Sequence, residues 1–181
     1  MTSFTSSPAP VRTSARPIRR ILSVLTVLLL AIIASIGIAG PASAVTNSQA
    51  QSTFRANGIT WSSTGGCSNR YVSTCTSFEG LRYATMQGAV TLKRSSGCTI
   101  NITGGTEVGH AGGTYSHFNG YKLDFSPYSC LGSYIRNNFR YSGNRGDGPI
   151  YTAPSGNVYV LENGNHWDVT YYSCGCCARR R

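Results

Sequence analysis

Three histidines occur in the 181-residue chain, His110, His117 and His166, and half of its six acids stand close to the last two. The first grouping is Ser116-His117-Phe118-Asn119-Gly120-Tyr121-Lys122-Leu123-Asp124. A histidine that ends a loop and an aspartate on the strand that follows can meet at one metal ion if the chain turns back between them. Gly120 supplies the backbone freedom for that turn. The second grouping is Glu162-Asn163-Gly164-Asn165-His166-Trp167-Asp168. His166 and Asp168 are two apart on an expected strand and so share a face, while Glu162 stands across a tight turn. Imidazole and carboxylate donors in this pattern fit a divalent metal site with an acid to spare for moving protons.

The pattern S-x-H-x-x-G-x-x-x-D, followed downstream by an acid and H-x-[HD], resembles the zinc D-alanyl-D-alanine carboxypeptidases and dipeptidases, the related endolysin peptidases and the hedgehog amino-terminal domain. The likeness covers roughly residues 76 to 172. Its most specific part runs from Gly104-Gly105-Thr106-Glu107 to Asp124. In that family the first histidine, the aspartate and a late histidine hold zinc, and a late glutamate or histidine is the general base. The resemblance implies His117 and Asp124 as zinc ligands. Where the family commonly has H-x-H and ligates with the second histidine, this chain has His166-Trp167-Asp168. Either His166 binds the metal with Glu162 or Asp168 as base, or Asp168 takes the ligand place with His166 as base. Neutral imidazole is the commoner zinc ligand, and His117, Asp124 and His166 would leave a fourth position for water, so His166 is the preferred third ligand. Glu162 would take the proton of that water and pass it to the leaving amine.

The residues that could touch substrate are Arg82, which could meet a carboxylate, with Ser116 and His110. Taken alone, His110 reads first as a surface residue and Arg82 as a solvated one. The implied activity is a secreted zinc metallopeptidase that hydrolyses D-amino-acid-containing peptidoglycan peptides, as a carboxypeptidase or an endopeptidase. Two other classes stand beside it. One is a catalytically silent cell-wall-binding module of the same fold, which the missing histidine of H-x-H would allow. The other is a small secreted disulfide-rich basic protein. No serine nucleophile elbow, phosphate loop or cysteine nucleophile motif offers a rival enzyme.

These residues need a scaffold, and its elements are readable in outline. Asn47 to Ala56 reads as a helix anchored by Phe54 and stopped by Asn57-Gly58, and Ile59 to Trp61 as a short strand. Thr76-Ser77-Phe78-Glu79 has the form of a capping box, so a helix is expected from there to about Gln87 or beyond. Thr99 to Thr103 and Tyr121 to Phe125 alternate as strands, and Ser133 to Phe139 suits a helix. Asn138 to Gly148 is polar and glycine-rich and reads as a loop. Ile150 to Thr152, Val158 to Leu161 and Trp167 to Tyr171 read as three strands joined by tight turns. Trp167 reads as core, and Tyr115, Tyr121, Tyr171 and Tyr172 as strand packing. The expected fold is α+β: a small antiparallel sheet with helices on one face, hedgehog/DD-peptidase-like by the resemblance, and disulfide-stabilised.

Residues 1–44 have the build of a secretory signal peptide. Arg12, Arg16, Arg19 and Arg20 form a basic start, Ile21 to Gly40 is apolar, and Pro41-Ala42-Ser43-Ala44 offers cleavage after Ala44. A twin-arginine route fits Arg19-Arg20 poorly, and a membrane contact would arise only through this segment if it stayed uncleaved. Residues 45–181 then form a single domain with a Cys-rich basic tail, expected to be a secreted monomer in the cell wall. With four of the sixteen basic residues gone and all six acids kept, its formal charge is +6. That balance suits a polyanionic wall, while the absence of basic and aromatic interleaving argues against nucleic acid. Seven cysteines in an exported chain point to disulfides, first Cys67 with Cys75. Cys98 and Cys130 could pair with each other or with the tail. A zinc site in Cys174, Cys176 and Cys177 lacks the usual partner pair of cysteines.

Overall fold

In the computed structural model, which describes residues 44–175, side-chain alternation decides which side of each strand meets the core. Strand β9 (His166–Thr170) alternates polar and apolar residues, so Trp167 and Val169 take one face and His166, Asp168 and Thr170 the other. It pairs antiparallel with β5 (Lys122–Phe125), placing Leu123 opposite Val169, Phe125 opposite Trp167 and Asp124 opposite Asp168. On its other side it pairs with β8 (Val158–Glu162), where Tyr159 and Leu161 join the apolar face and Glu162 lies opposite His166. Leu123, Phe125, Trp167 and Val169 are fully buried. Each such side chain is worth about 1.5–3 kcal/mol.

The full sheet has seven strands in the order β2-β4-β5-β9-β8-β7-β6. The added strands are β2 (Ile59–Trp61), β4 (Ile100–Gly104), β6 (Arg140–Asn144) and β7 (Pro149–Thr152). β1 (Ala44–Val45) pairs with β3 (Leu81–Arg82) in a separate two-stranded ladder. The α+β reading stands, with two departures from the small antiparallel sheet expected: the sheet is large, and β2 runs parallel to β4. A register shift interrupts β4 against β5, where Ile102 pairs with Phe125 but Gly104 pairs with Asp124. This bulge moves Gly104 onto the face that carries Asp124.

Three α-helices, α1 (Asn47–Ala56), α2 (Tyr83–Ser96) and α3 (Ser129–Asn138), and a 3-10 turn at Thr64–Gly66 complete the described elements. α2 and α3 pack on the apolar face. Gly88 of α2 lies against the Tyr171 ring, where a Cβ would stand 2.3 Å from Cδ1, and Arg136 of α3 lies 5.9 Å over the Trp167 ring. α1 has the expected bounds, and its capping box is Thr46 with Gln49. The box expected at Thr76 to Glu79 starts no helix. Gly80 follows it with φ +78°, and Leu81-Arg82 is drawn into pairing with β1, so α2 begins only at Tyr83. Glu79 instead accepts from the Asn47 amide at the start of α1.

The expected loop at 138–148 is also corrected. Residues 140–144 form the edge strand β6, whose exposed side chains hide the apolar alternation that marks an inner strand. Disulfides join Cys67 to Cys75 and Cys98 to Cys130, the latter tying the end of α2 to the start of α3. The described residues belong to one compact unit, and no helix among them is long and apolar enough to cross a membrane. The leader with its basic start, and Cys176, Cys177 and the arginine tail, lie outside the described residues.

Candidate metal centre

The polar face of β5, β9 and β8 opens into a cavity of about 450 Å³ lined by His110, Ala111, His117, Lys122, Asp124, Arg145, Asp147, Glu162, His166 and Asp168. All three histidines of the chain and four of its six acids are therefore at one place. Two hairpin-like features bring them there. Gly120, at φ +75°, lets its amide bond the His117 carbonyl while the Tyr121 amide bonds Ser116, so the chain reverses between His117 and β5 as expected. The turn after β8 returns Glu162 toward His166, whose Nε2 lies 3.3 Å from Glu162 Oε2.

Asp124 is the hub. Its Oδ1 lies 3.3 Å from His117 Nε2 and 3.6 Å from His166 Nε2, and its Oδ2 lies 3.7 Å from His110 Nδ1. The His117 ring is fixed from behind, since Nδ1 donates to the Gly105 carbonyl at 2.7 Å, and Nε2 faces Asp124, protonated beside the carboxylate or, once deprotonated, able to bind a metal. The His110 ring stacks on His117 with centroids 3.8 Å apart. Its Nε2 lies 3.1 Å from buried Glu107, which also accepts from the Ser77 and Gly105 amides. One donor atom each from His110, His117 and Asp124 lies within 4.8 Å of the others, so this group could hold a metal ion. Gly104 makes room for it: a Cβ there would stand 2.4 Å from Asp124 Oδ2 and 3.1 Å from His110 Cε1.

Asp168 stands outside that compact group yet turns toward it. Its Oδ1 is 4.0 Å from His117 Nε2, and its Oδ2 receives Lys122 Nζ at 2.5 Å. Asp124 Oδ1 and Asp168 Oδ1 are both buried and accept no hydrogen bond. Two buried carboxylates directly opposite each other on neighbouring strands repel unless positive charge stands beside them; His117, facing both, and Lys122, on Asp168, supply it here, and a metal ion could take the place of the His117 proton.

The electrostatics follow from this crowding. Burial alone would raise the Asp124 carboxyl, but the close approach and charge of His117, helped by His166 and His110, hold it below the ordinary aspartate value. Burial would lower His117, yet Asp124 and then Asp168 hold it above the ordinary histidine value. Burial would raise Glu107 too, and its bonds from His110 and the two amides outweigh this and lower it. Glu162 goes the other way: burial and the neighbouring Asp168 charge raise it, against partial relief from Arg145 and His166. A carboxyl raised in this way is a stronger base than an ordinary glutamate, which suits it to taking and returning a proton.

The site residues named from sequence divide clearly. His117, Asp124, His166, Glu162 and Asp168 come together in the cavity. Ser116 does not line it, because its Oγ accepts from the Asn119 amide inside the turn. Arg82 does not line it either. Its guanidinium lies 4.2 Å over the Tyr121 ring, in a separate groove with Tyr115 and Tyr172. His110, read first as a surface residue, is exposed as expected and also belongs to the compact donor group. Sequence reasoning missed Lys122, Arg145, Asp147 and Glu107. Arg145 pairs with Asp147 at 2.8 Å and with Glu162, and both residues arrive on the β6–β7 turn that was read as loop. Lys122 could have been found, since it stands two residues before Asp124 on the same strand and so on the same face. Comparison with known protein families, with curated proteins and with solved structures found no match to this chain.

Proposed function

We propose that the chain is a secreted zinc metallopeptidase of the D-alanyl-D-alanine peptidase kind, with the corresponding hedgehog/DD-peptidase fold, that cuts D-amino-acid-containing peptidoglycan peptides. The observation that carries the reading is the pair of buried, unpartnered oxygens, Asp124 Oδ1 and Asp168 Oδ1, turned toward His117 Nε2. An imidazole nitrogen with carboxylate oxygens is a donor set that suits zinc. His117, Asp124 and Asp168 would hold the ion. His110 is the rival third donor, favoured by its place in the compact group. His166, whose Nε2 lies 3.3 Å from Glu162 Oε2 at the rim, is then freed from the ligand role expected of it.

When bound, zinc supplies the Lewis acidity that polarises a scissile carbonyl and acidifies water. Glu162 Oε2 accepts the proton of the attacking water and returns it to the leaving amine, with His166 Nε2 holding the carboxyl in place. Arg145 anchors the other Glu162 oxygen. Elemental analysis of the purified protein and assay on a stem peptide ending in D-alanyl-D-alanine test the proposal. One zinc per chain and turnover abolished by His117→Ala support it. Zinc without turnover leaves a cell-wall-binding module, and absence of zinc removes the peptidase reading.

A further inference from the structure

Lys122 has no place in the ligand set, yet it makes the closest ion pair inside the cavity that involves a proposed ligand. Its Nζ reaches Asp168 Oδ2 at 2.5 Å, from a position diagonal to Asp168 across the β5–β9 ladder. The side chain is mostly withdrawn from solvent, at 18% exposure. The other cation in reach, Arg145, stands 3.8 Å from the same oxygen and is engaged by Asp147 and Glu162. Asp168 therefore has one oxygen committed to Lys122 and the other turned toward His117.

We propose that Lys122 is a positioning residue for the metal centre: it turns Asp168 so that Oδ1 faces the ion, and it cancels the charge that an aspartate brings where an imidazole would bring none. The Asp168–Lys122 pair then acts as one electrically neutral donor. Without the ammonium, Asp168 Oδ2 would keep only Arg145, 3.8 Å away and shared with Asp147 and Glu162, and the repulsion between the Asp124 and Asp168 carboxylates would be less offset. With the ammonium but without Asp168, a cation would stand beside the metal with nothing to balance it. This inference rests on the reading of Asp168 as a zinc ligand.

The signature is a change of sign. Zinc affinity is measured by competition with a chromophoric chelator for the wild type, Lys122→Met, Asp168→His and the double variant. Partners that orient a metal ligand are typically worth 10–100-fold in affinity. Lys122→Met in the wild-type background weakens zinc about tenfold or more. In the Asp168→His background the same substitution strengthens zinc about tenfold, because the new imidazole no longer faces an ammonium. Lys122→Arg, which keeps the charge and disturbs folding least, stays within about threefold of wild type. Circular dichroism confirms that each variant is folded. If Lys122→Met acts in the same direction in both backgrounds, the inference is overturned while the metal centre stands. If the wild type binds no zinc, the metal reading falls and this inference with it.

Discussion

Zinc added to the metal-free protein will raise its melting temperature, and the size of the rise follows from linkage. A ligand that binds only the folded state at a hundred times its dissociation constant adds about 2.7 kcal/mol. The donors come from β5, β9 and the loop before β5, so the site exists only when the sheet is formed. For a domain of this length each kcal/mol moves the midpoint by about 4 °C, so the expected rise is about 10 °C. Asp124→Asn removes the hub carboxylate, and its zinc-induced rise will be under about 2 °C by the same conversion. The metal-free variant will melt below the wild type, because the Asp124 carboxylate is held below its ordinary value by His117 in the folded protein; the zinc-induced rise is therefore read within each protein. Thermal melts followed by circular dichroism, with zinc, with magnesium and after chelation, read all of this. Magnesium prefers six oxygen donors and will move the midpoint little. An equal rise in wild type and Asp124→Asn, or none in the wild type up to millimolar zinc, would refute the reasoning.

Three further outcomes are expected. Gly104→Ala places a Cβ 2.4 Å from Asp124 Oδ2; the carboxylate must move, and zinc affinity measured by chelator competition will fall by about tenfold or more. The metal-free protein will lose stability as pH rises from the ordinary histidine range through the raised His117 value, because the charged imidazole is favoured only in the folded state. Asp124, held low, contributes stability that is lost as pH falls below the ordinary aspartate range. Urea melts across pH will show both flanks, and a flat profile above neutrality would remove the His117 assignment. Replacing Cys98 and Cys130 by serine will cost about 4 kcal/mol against about 2.5 kcal/mol for Cys67 and Cys75, since the first pair closes the longer loop; denaturant midpoints check the order.

Much of the scaffold was legible because its inner strands alternate. β5, β8 and β9 were read within a residue or two of their bounds, and with them the shared face of Asp124, His166, Asp168 and Glu162. What failed was local chemistry overruled by tertiary pairing. Thr76 to Glu79 carries a correct capping pattern, but the Thr76 hydroxyl donates to the Ser62 and Thr103 carbonyls, and the Ser77 and Phe78 amides are taken by Glu107 and Asn47. No window of sequence contains those partners. β6 escaped for a different reason, since an edge strand with neither face in the core has no periodicity to read. Its turn delivers Arg145 and Asp147, so an unread strand hid two residues of the cavity. His110 sits in a glycine-rich loop without period, and Glu107 three residues earlier was its only local hint.

The irregular step in β4 bears on how such a cavity is made. Were the ladder continuous after Ile102, Thr103 would stand opposite Asp124 and its side chain would occupy the space that the carboxylate now uses. The surplus residue acts as a spacer in the counting of the chain, bringing a position with no side chain into phase with the acid. A strand pairing without interruption would make a better ladder and a filled-in cavity. Deleting Gly104 would restore the ladder with Thr103 opposite Asp124 and crowd the site, whereas deleting Thr103 would leave Gly104 opposite the acid, so at that point register and residue type together set what the protein can hold.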